Sequence, residues 1–174
     1  MKYFVDRGGF GVSLISPLNY TMAELKLVSR LSGSRGLPIS THVSETEDTY
    51  LDNDLNRALT TLVTGNTVFV HLTQLNDDDI AKIPLLPIVT CPRSNIEFVG
   101  KLARVGAMVR RGGLKPLIGT DNVALIEPDP WEEIKVMRLL MGGGELNSQT
   151  ILKMATSWAW SWGGFGYVIR EGEP

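Results

Sequence analysis

With 174 residues, 43% apolar and 21% charged, and a net charge of −2, the chain is sized for one domain with a real core and excludes a disordered polymer. The charge balance gives no footprint for nucleic acid or anionic lipid, and a single cysteine, Cys91, excludes an internal disulfide framework and fits a reducing, cytoplasmic setting. No apolar run approaches the ~20 residues of a membrane span, and MKYFVDRGGF lacks the apolar centre of a signal peptide.

Along the chain, short β-type runs alternate with helical patterns. GVSLIS, Gly11 to Ser16, reads as a buried strand closed by Pro17. Thr21 and Glu24 form a capping-box pair that opens a helix with Leu25, Val28 and Leu31 on one face. LPISTH is the second strand. Leu51, Leu55, Ala58, Leu59 and Leu62 keep helical spacing up to a Gly65-Asn66 turn. TVFVH, Thr67 to His71, is the third strand, and Asn76 then caps a helix with Asp77, Asp78 and Asp79 at its positive end. LLPIVT is the fourth strand, followed by a helix around Lys101 to Arg111 that Gly112-Gly113 terminates. PLIGT, Pro116 to Thr120, is the fifth. Asp129 caps a helix with Pro130 at its first position, ending at Gly142-Gly143-Gly144, and a last helix runs from about Ser148 to Trp158.

Five β-runs joined by helical crossovers predict a parallel α/β sheet, either open and doubly wound or part of a (β/α)8 barrel; the pattern alone leaves both open. Both architectures build sites at the C-terminal ends of the strands. That is where His42, His71, the Ser94-Asn95 pair and Asp121 fall. A lone histidine at a strand end is more often a half-buried ring bonded to a backbone carbonyl. Here the only two histidines occupy equivalent positions and Asp121 a third, a set that suits Zn²⁺ or Fe²⁺. Glu45, three residues after His42, is placed to carry protons beside a metal-activated water, or is simply one acid of an acidic loop with Glu47 and Asp48. Asp121 reads equally as a helix-capping aspartate. In CPRSN the Ser94 and Asn95 side chains offer polar groups for substrate, while Cys91, with no histidine near it in sequence, reads as a small buried side chain. No G-x-G-x-x-G or Walker-type loop follows the first strand to support a phosphate-binding sheet.

Taken in order, HVSET, VFVHLTQL, CPRSN and IGTDN resemble the amidohydrolase superfamily, in its branch of cytosine-deaminase-like, chlorohydrolase-like and adenosyl-type deaminases. The resemblance runs from about Gly9 to Thr156. It implies a metal-dependent TIM barrel of which this chain holds about strands four to eight, the histidines standing on the fifth and sixth and the aspartate on the eighth. It further implies His42 as a metal ligand, Glu45 as proton shuttle, His71 as orienter of the hydrolytic water or a second metal ligand, and Asp121 as ligand and base. The reaction implied is hydrolytic deamination or dechlorination of a nitrogen heterocycle such as a nucleobase or nucleoside.

The family's His-x-His pair occurs nowhere in the chain. By motif order the first strands and the family's small β-sandwich are absent too, so residues 1–174 read as a single C-terminal portion of a barrel domain. A catalytic zinc normally takes three protein ligands plus water, and His42, His71 and Asp121 supply at most three. The isolated chain is therefore expected to be an incomplete enzyme, or a non-catalytic remnant or subunit. Its open edge is expected to pair with a second copy or a missing N-terminal half. The tryptophans of WAWSW, Trp158 to Trp162, read as core or as a bare docking surface.

Overall fold

A computed structural model describes residues 11–141 and 144–162. The opening segment MKYFVDRGGF and the Gly142-Gly143 pair read as a helix terminator lie outside them. Five strands, β1 (Val12–Leu14), β2 (Ile39–Val43), β3 (Thr67–His71), β4 (Ile88–Thr90) and β5 (Pro116–Ile118), form one sheet in the order β1-β2-β3-β4-β5. Every neighbouring pair is parallel. A doubly wound sheet reverses strand order at a switch point. This order never reverses, so of the two architectures the sheet is a sector of a β/α barrel.

Local chemistry explains most boundaries. Helix α1 (Met22–Arg35) starts at Thr21, whose hydroxyl accepts the Glu24 N–H while the Glu24 carboxylate accepts the Thr21 N–H at 2.7 Å. It ends at Gly36, with φ of +64°, a conformation that costs any other residue's Cβ. Asn76 caps the helix Asp77–Lys82, here α4, accepting the Asp79 N–H at 2.9 Å.

Four readings change. The run expected through Leu51 to Leu62 is two helices, α2 (Glu47–Leu51) and α3 (Asp54–Thr61), broken at Asn53 with φ of +64°. The break turns Asp54 inward toward Ser44. CPRSN, read as a rim segment, opens a helix, α5 (Pro92–Val99), with Pro92 at its first position and Gly100 at φ +69° closing it. The helix expected from Lys101 begins only at Val105, as α6 (Val105–Arg110). After α7 (Pro130–Met141), the last helix divides at Thr156 into α8 (Ser148–Ala155) and α9 (Ser157–Trp162). WAWSW is thus helical: Trp158 packs on the core, and Trp162, four residues on, is exposed.

The core lies between sheet and helices. In β2, Ile39, Thr41 and Val43 are fully buried and alternate with the half-exposed Ser40 and His42. Val43, Phe69 and Ile88 pack with Leu55, Met108 and Met137 in the main cluster. Burying a side chain such as Phe69 completely stabilises by about 1.5–3 kcal/mol. A smaller cluster joins Leu14, Leu25, Ile39 and Leu62 near β1. Among the described residues no helix is long and apolar enough to cross a membrane.

Candidate metal and hydrolytic site

Alternation along β2 points His42 to the face away from the helices, beside Val70 in the register of β3. The same alternation would send His71, two residues past the core residue Phe69, into the helix layer. Instead the chain enters the left-handed region at His71, φ +74°, and Leu72, φ +52°, and the His71 ring meets His42. Ser44 at φ +49° and Asp121 at φ +64° make the same kind of turn at the ends of β2 and β5. L-residues held there cost about 1–2 kcal/mol each, a strain that persists only where surrounding bonds impose it.

Those bonds are present. The Ser44 N–H and hydroxyl donate to Asp54 at 2.6 and 2.8 Å, with Asp54 itself fully enclosed. From the β3 side, Thr73 Oγ1 donates to the carbonyls of Ser44, at 3.0 Å, and Glu45, and Gln74 Nε2 donates to the Glu45 carbonyl at 3.3 Å. The Ser44-Glu45 turn is gripped from both neighbours. At β5, Gly119 permits close passage: a Cβ there would lie 2.8 Å from Val89 Cγ1.

Three side chains converge on the resulting mouth. His42 Nδ1 lies 3.2 Å from His71 Nε2 and 3.3 Å from Glu45 Oε2, and His71 Nε2 lies 3.6 Å from Glu45 Oε1. The rings stand 4.7 Å apart at 58°. Ligand atoms around a tetrahedral Zn²⁺ at about 2.1 Å are separated by about 3.4 Å, so this donor set fits a divalent ion. His42, Glu45 and His71 could therefore hold one.

His71 is wholly buried, with Nδ1 2.8 Å from Asn95 Oδ1. The Asn95 amide nitrogen donates to Thr90 Oγ1 at 3.3 Å, which leaves its oxygen to face the ring; Nδ1 then carries the proton and Nε2 is the free lone pair. Ser94 Oγ donates to Asp121 Oδ2. The Ser94 and Asn95 side chains are both buried and engaged with Asp121 and His71. Asp121 stands outside the three-donor group but adds its charge to it. The Glu45 hydrogen bond raises the His42 pKa above its ordinary value against the opposing effect of burial, and the charges of Glu45 and Asp121 raise it further. The same hydrogen bond lowers that of Glu45. Cys91 is buried beside this rim, and burial pushes its thiol pKa far up, which disfavours the thiolate a nucleophile needs.

Sequence reasoning missed Asp54, Thr73 and the Arg93–Glu133 pair. Glu133 Oε1 accepts from Arg93 Nε at 2.7 Å and is fully buried. One signal for it existed: Glu133 lies four residues before Met137 and shares its core-facing side.

No family model matches the chain. A 5′-deoxyadenosine deaminase of Methanopyrus kandleri is 30% identical over 161 residues, covering 79% of this chain and 36% of that protein. Among solved structures, an adenosine deaminase from Xanthomonas campestris with bound zinc superposes with a TM-score of 0.77 at 23% identity, over 90% of this chain and 39% of that one. An atrazine chlorohydrolase from Arthrobacter aurescens complexed with zinc gives a TM-score of 0.68 at 13% identity, over 84% and 36%. The chain thus spans well under half the length of each of these three proteins. Its five parallel strands and their helices match part of the TIM barrel of these two solved proteins, the fold that the resemblance to the amidohydrolase superfamily implies.

Proposed function

We propose that this chain carries the strand-end residues of a zinc-dependent hydrolase that removes an amino or chloro substituent from a nitrogen heterocycle, a nucleobase or nucleoside first among them. The observation that carries the reading is the convergence of His42, Glu45 and His71 at one end of a parallel sheet. The names of the similar proteins, deaminases of adenosine compounds and an atrazine chlorohydrolase, support the substrate class. A divalent ion, when bound, supplies Lewis-acid activation of water.

The chain's own residues would do the rest. His71, its tautomer set by Asn95, and His42 would hold the ion, with Glu45 beside them. Asp121, oriented by Ser94, would take the proton from the attacking water as a C–O bond forms at the ring carbon. Glu45 would take the second proton of that oxygen and pass it to the departing amino group as the C–N bond breaks and the carbonyl forms, releasing ammonia, while Asp121 returns its proton to the ring nitrogen. Ser94 and Asn95 would act by holding Asp121 and His71 rather than by touching substrate.

The test is calorimetric titration with Zn²⁺ of the chain and of His42→Ala, together with ammonia release from adenosine, 5′-deoxyadenosine and guanine. The assay is run on the chain alone and on the chain mixed with the complementary N-terminal portion of a deaminase relative. One-to-one zinc binding lost in His42→Ala, with ammonia release in at least one assembly, is the expected result. Zinc binding by the same variant at wild-type strength would overturn the site. Zinc binding without turnover in any assembly would leave a remnant that keeps the donors and not the chemistry.

A further inference from the structure

The two contacts that orient the site, Asn95 to His71 and Ser94 to Asp121, come from consecutive residues in the first turn of α5. What fixes that turn is unusual. Cys91, at the cap position, makes no side-chain capping bond, and Pro92 has no N–H to satisfy. The next N–H, that of Arg93, donates to Glu133 Oε2 at 3.0 Å, so the cap of α5 comes from the first turn of another helix, α7. The same carboxylate accepts Arg93 Nε at 2.7 Å through its other oxygen. Arg93 Nη2 then reaches onward to the carbonyls of Glu127 and of Asp129, the latter at 3.3 Å, at the far end of the segment that carries Asp121.

We propose that the Arg93–Glu133 pair is the positioning device of the site: it sets the entry angle of α5 and anchors the Asp121 segment, and so places Asn95 on His71 and Ser94 on Asp121 together. A role in stability alone explains the pair poorly. A buried ion pair must offset the desolvation of both groups, and packed apolar residues of similar volume often serve stability as well or better. What apolar residues cannot supply is the carboxylate that takes the Arg93 N–H and the fork that ties that carboxylate to two loop carbonyls in fixed directions. The expected effect on zinc rests on the metal-site reading above; the effect on His71 does not.

With two histidines in the chain, the ring nitrogens are few enough to resolve by ¹⁵N NMR. In the wild-type chain without metal, His71 should show one tautomer, protonated at Nδ1. The Arg93→Met/Glu133→Met double variant, which leaves no buried charge unpaired, should stay folded by circular dichroism, show mixed His71 tautomers, and bind Zn²⁺ roughly 10–100-fold more weakly. Arg93→Lys, which keeps the charge and loses the fork, should shift the same readouts in the same direction and serves if the double variant does not fold. Leu25→Ala, in the separate cluster near β1, should lower stability and leave the tautomer and zinc affinity unchanged. Wild-type tautomer in the folded double variant, or in Arg93→Lys where that alone folds, would overturn the proposal, as would equal tautomer mixing in Leu25→Ala. If the wild-type chain binds no zinc, the metal reading fails and the His71 signal still decides this one.

Discussion

His42 and Glu45 illustrate how two ordinary side chains become a coupled unit once a turn is pinned. Their hydrogen bond raises the imidazole pKa above 6.5 and lowers the carboxyl pKa below 4.5. The raised histidine favours the folded, metal-free chain fully below pH 6.5, and that share is lost as pH climbs through the folded value. The lowered glutamate favours it above pH 4.5 and loses its share as pH falls through the folded value. Urea unfolding across pH should show the pair's stabilisation flat between those limits and declining outside them, modestly because both groups are partly exposed, and His42→Gln should remove the effect. Glu45→Gln tests proton transfer separately. Turnover per bound zinc should fall ~10²–10⁴-fold, measured as rate against metal content. A fall confined to metal content would make Glu45 a ligand only. Cys91 offers a third check. Its enclosed, high-pKa thiol should resist iodoacetamide at pH 8 in the folded chain and react once urea unfolds it.

The elements show which parts of the fold were written locally. β3, Thr67–His71, coincides with TVFVH because a β-branched run bounded by a turn needs no distant information. The caps at Thr21 and Asn76 are equally local, each three residues from its partner. Gly36 belongs to this class: at φ +64° with open space around it, Gly36→Ala should cost about 1 kcal/mol from backbone strain alone, read by urea denaturation. The α2–α3 break was not legible, because its cause is Asp54 turning in to Ser44, ten residues away in sequence and on another element. The start of α5 was legible in Pro92 and Gly100, but the polar residues between them read as a rim. The candidate site divides the same way. The positions of His42, His71 and Asp121 at strand ends follow from the β-runs. The turn that brings the His71 ring onto His42 runs against strand alternation, and it becomes visible only when the backbone dihedrals are known.

For the whole molecule, the sheet order decides what the chain can be by itself. Among the described residues β1 pairs only with β2, and β5 only with β4, so an arc of five strands has an edge at each end. Barrels remove such edges by closing, and an arc of this length falls short of the eight strands that closure on this plan takes. Unpaired strand edges template association with another chain, and apolar groups beside them strengthen the tendency. Ile15, immediately after β1, is 73% exposed and supplies such a group. The purified 174-residue chain is therefore expected to self-associate, with the weight-average mass in sedimentation velocity rising with concentration. Ile15→Lys places a charge beside the β1 edge, the device natural edge strands use against pairing, and should shift the distribution toward monomer without lowering helical content. If a complementary N-terminal portion pairs at the same edge, its addition should dissolve the self-associated species into one-to-one complexes. A wild-type chain that stays monomeric across the accessible concentration range would show that the β1 edge is not a free pairing surface.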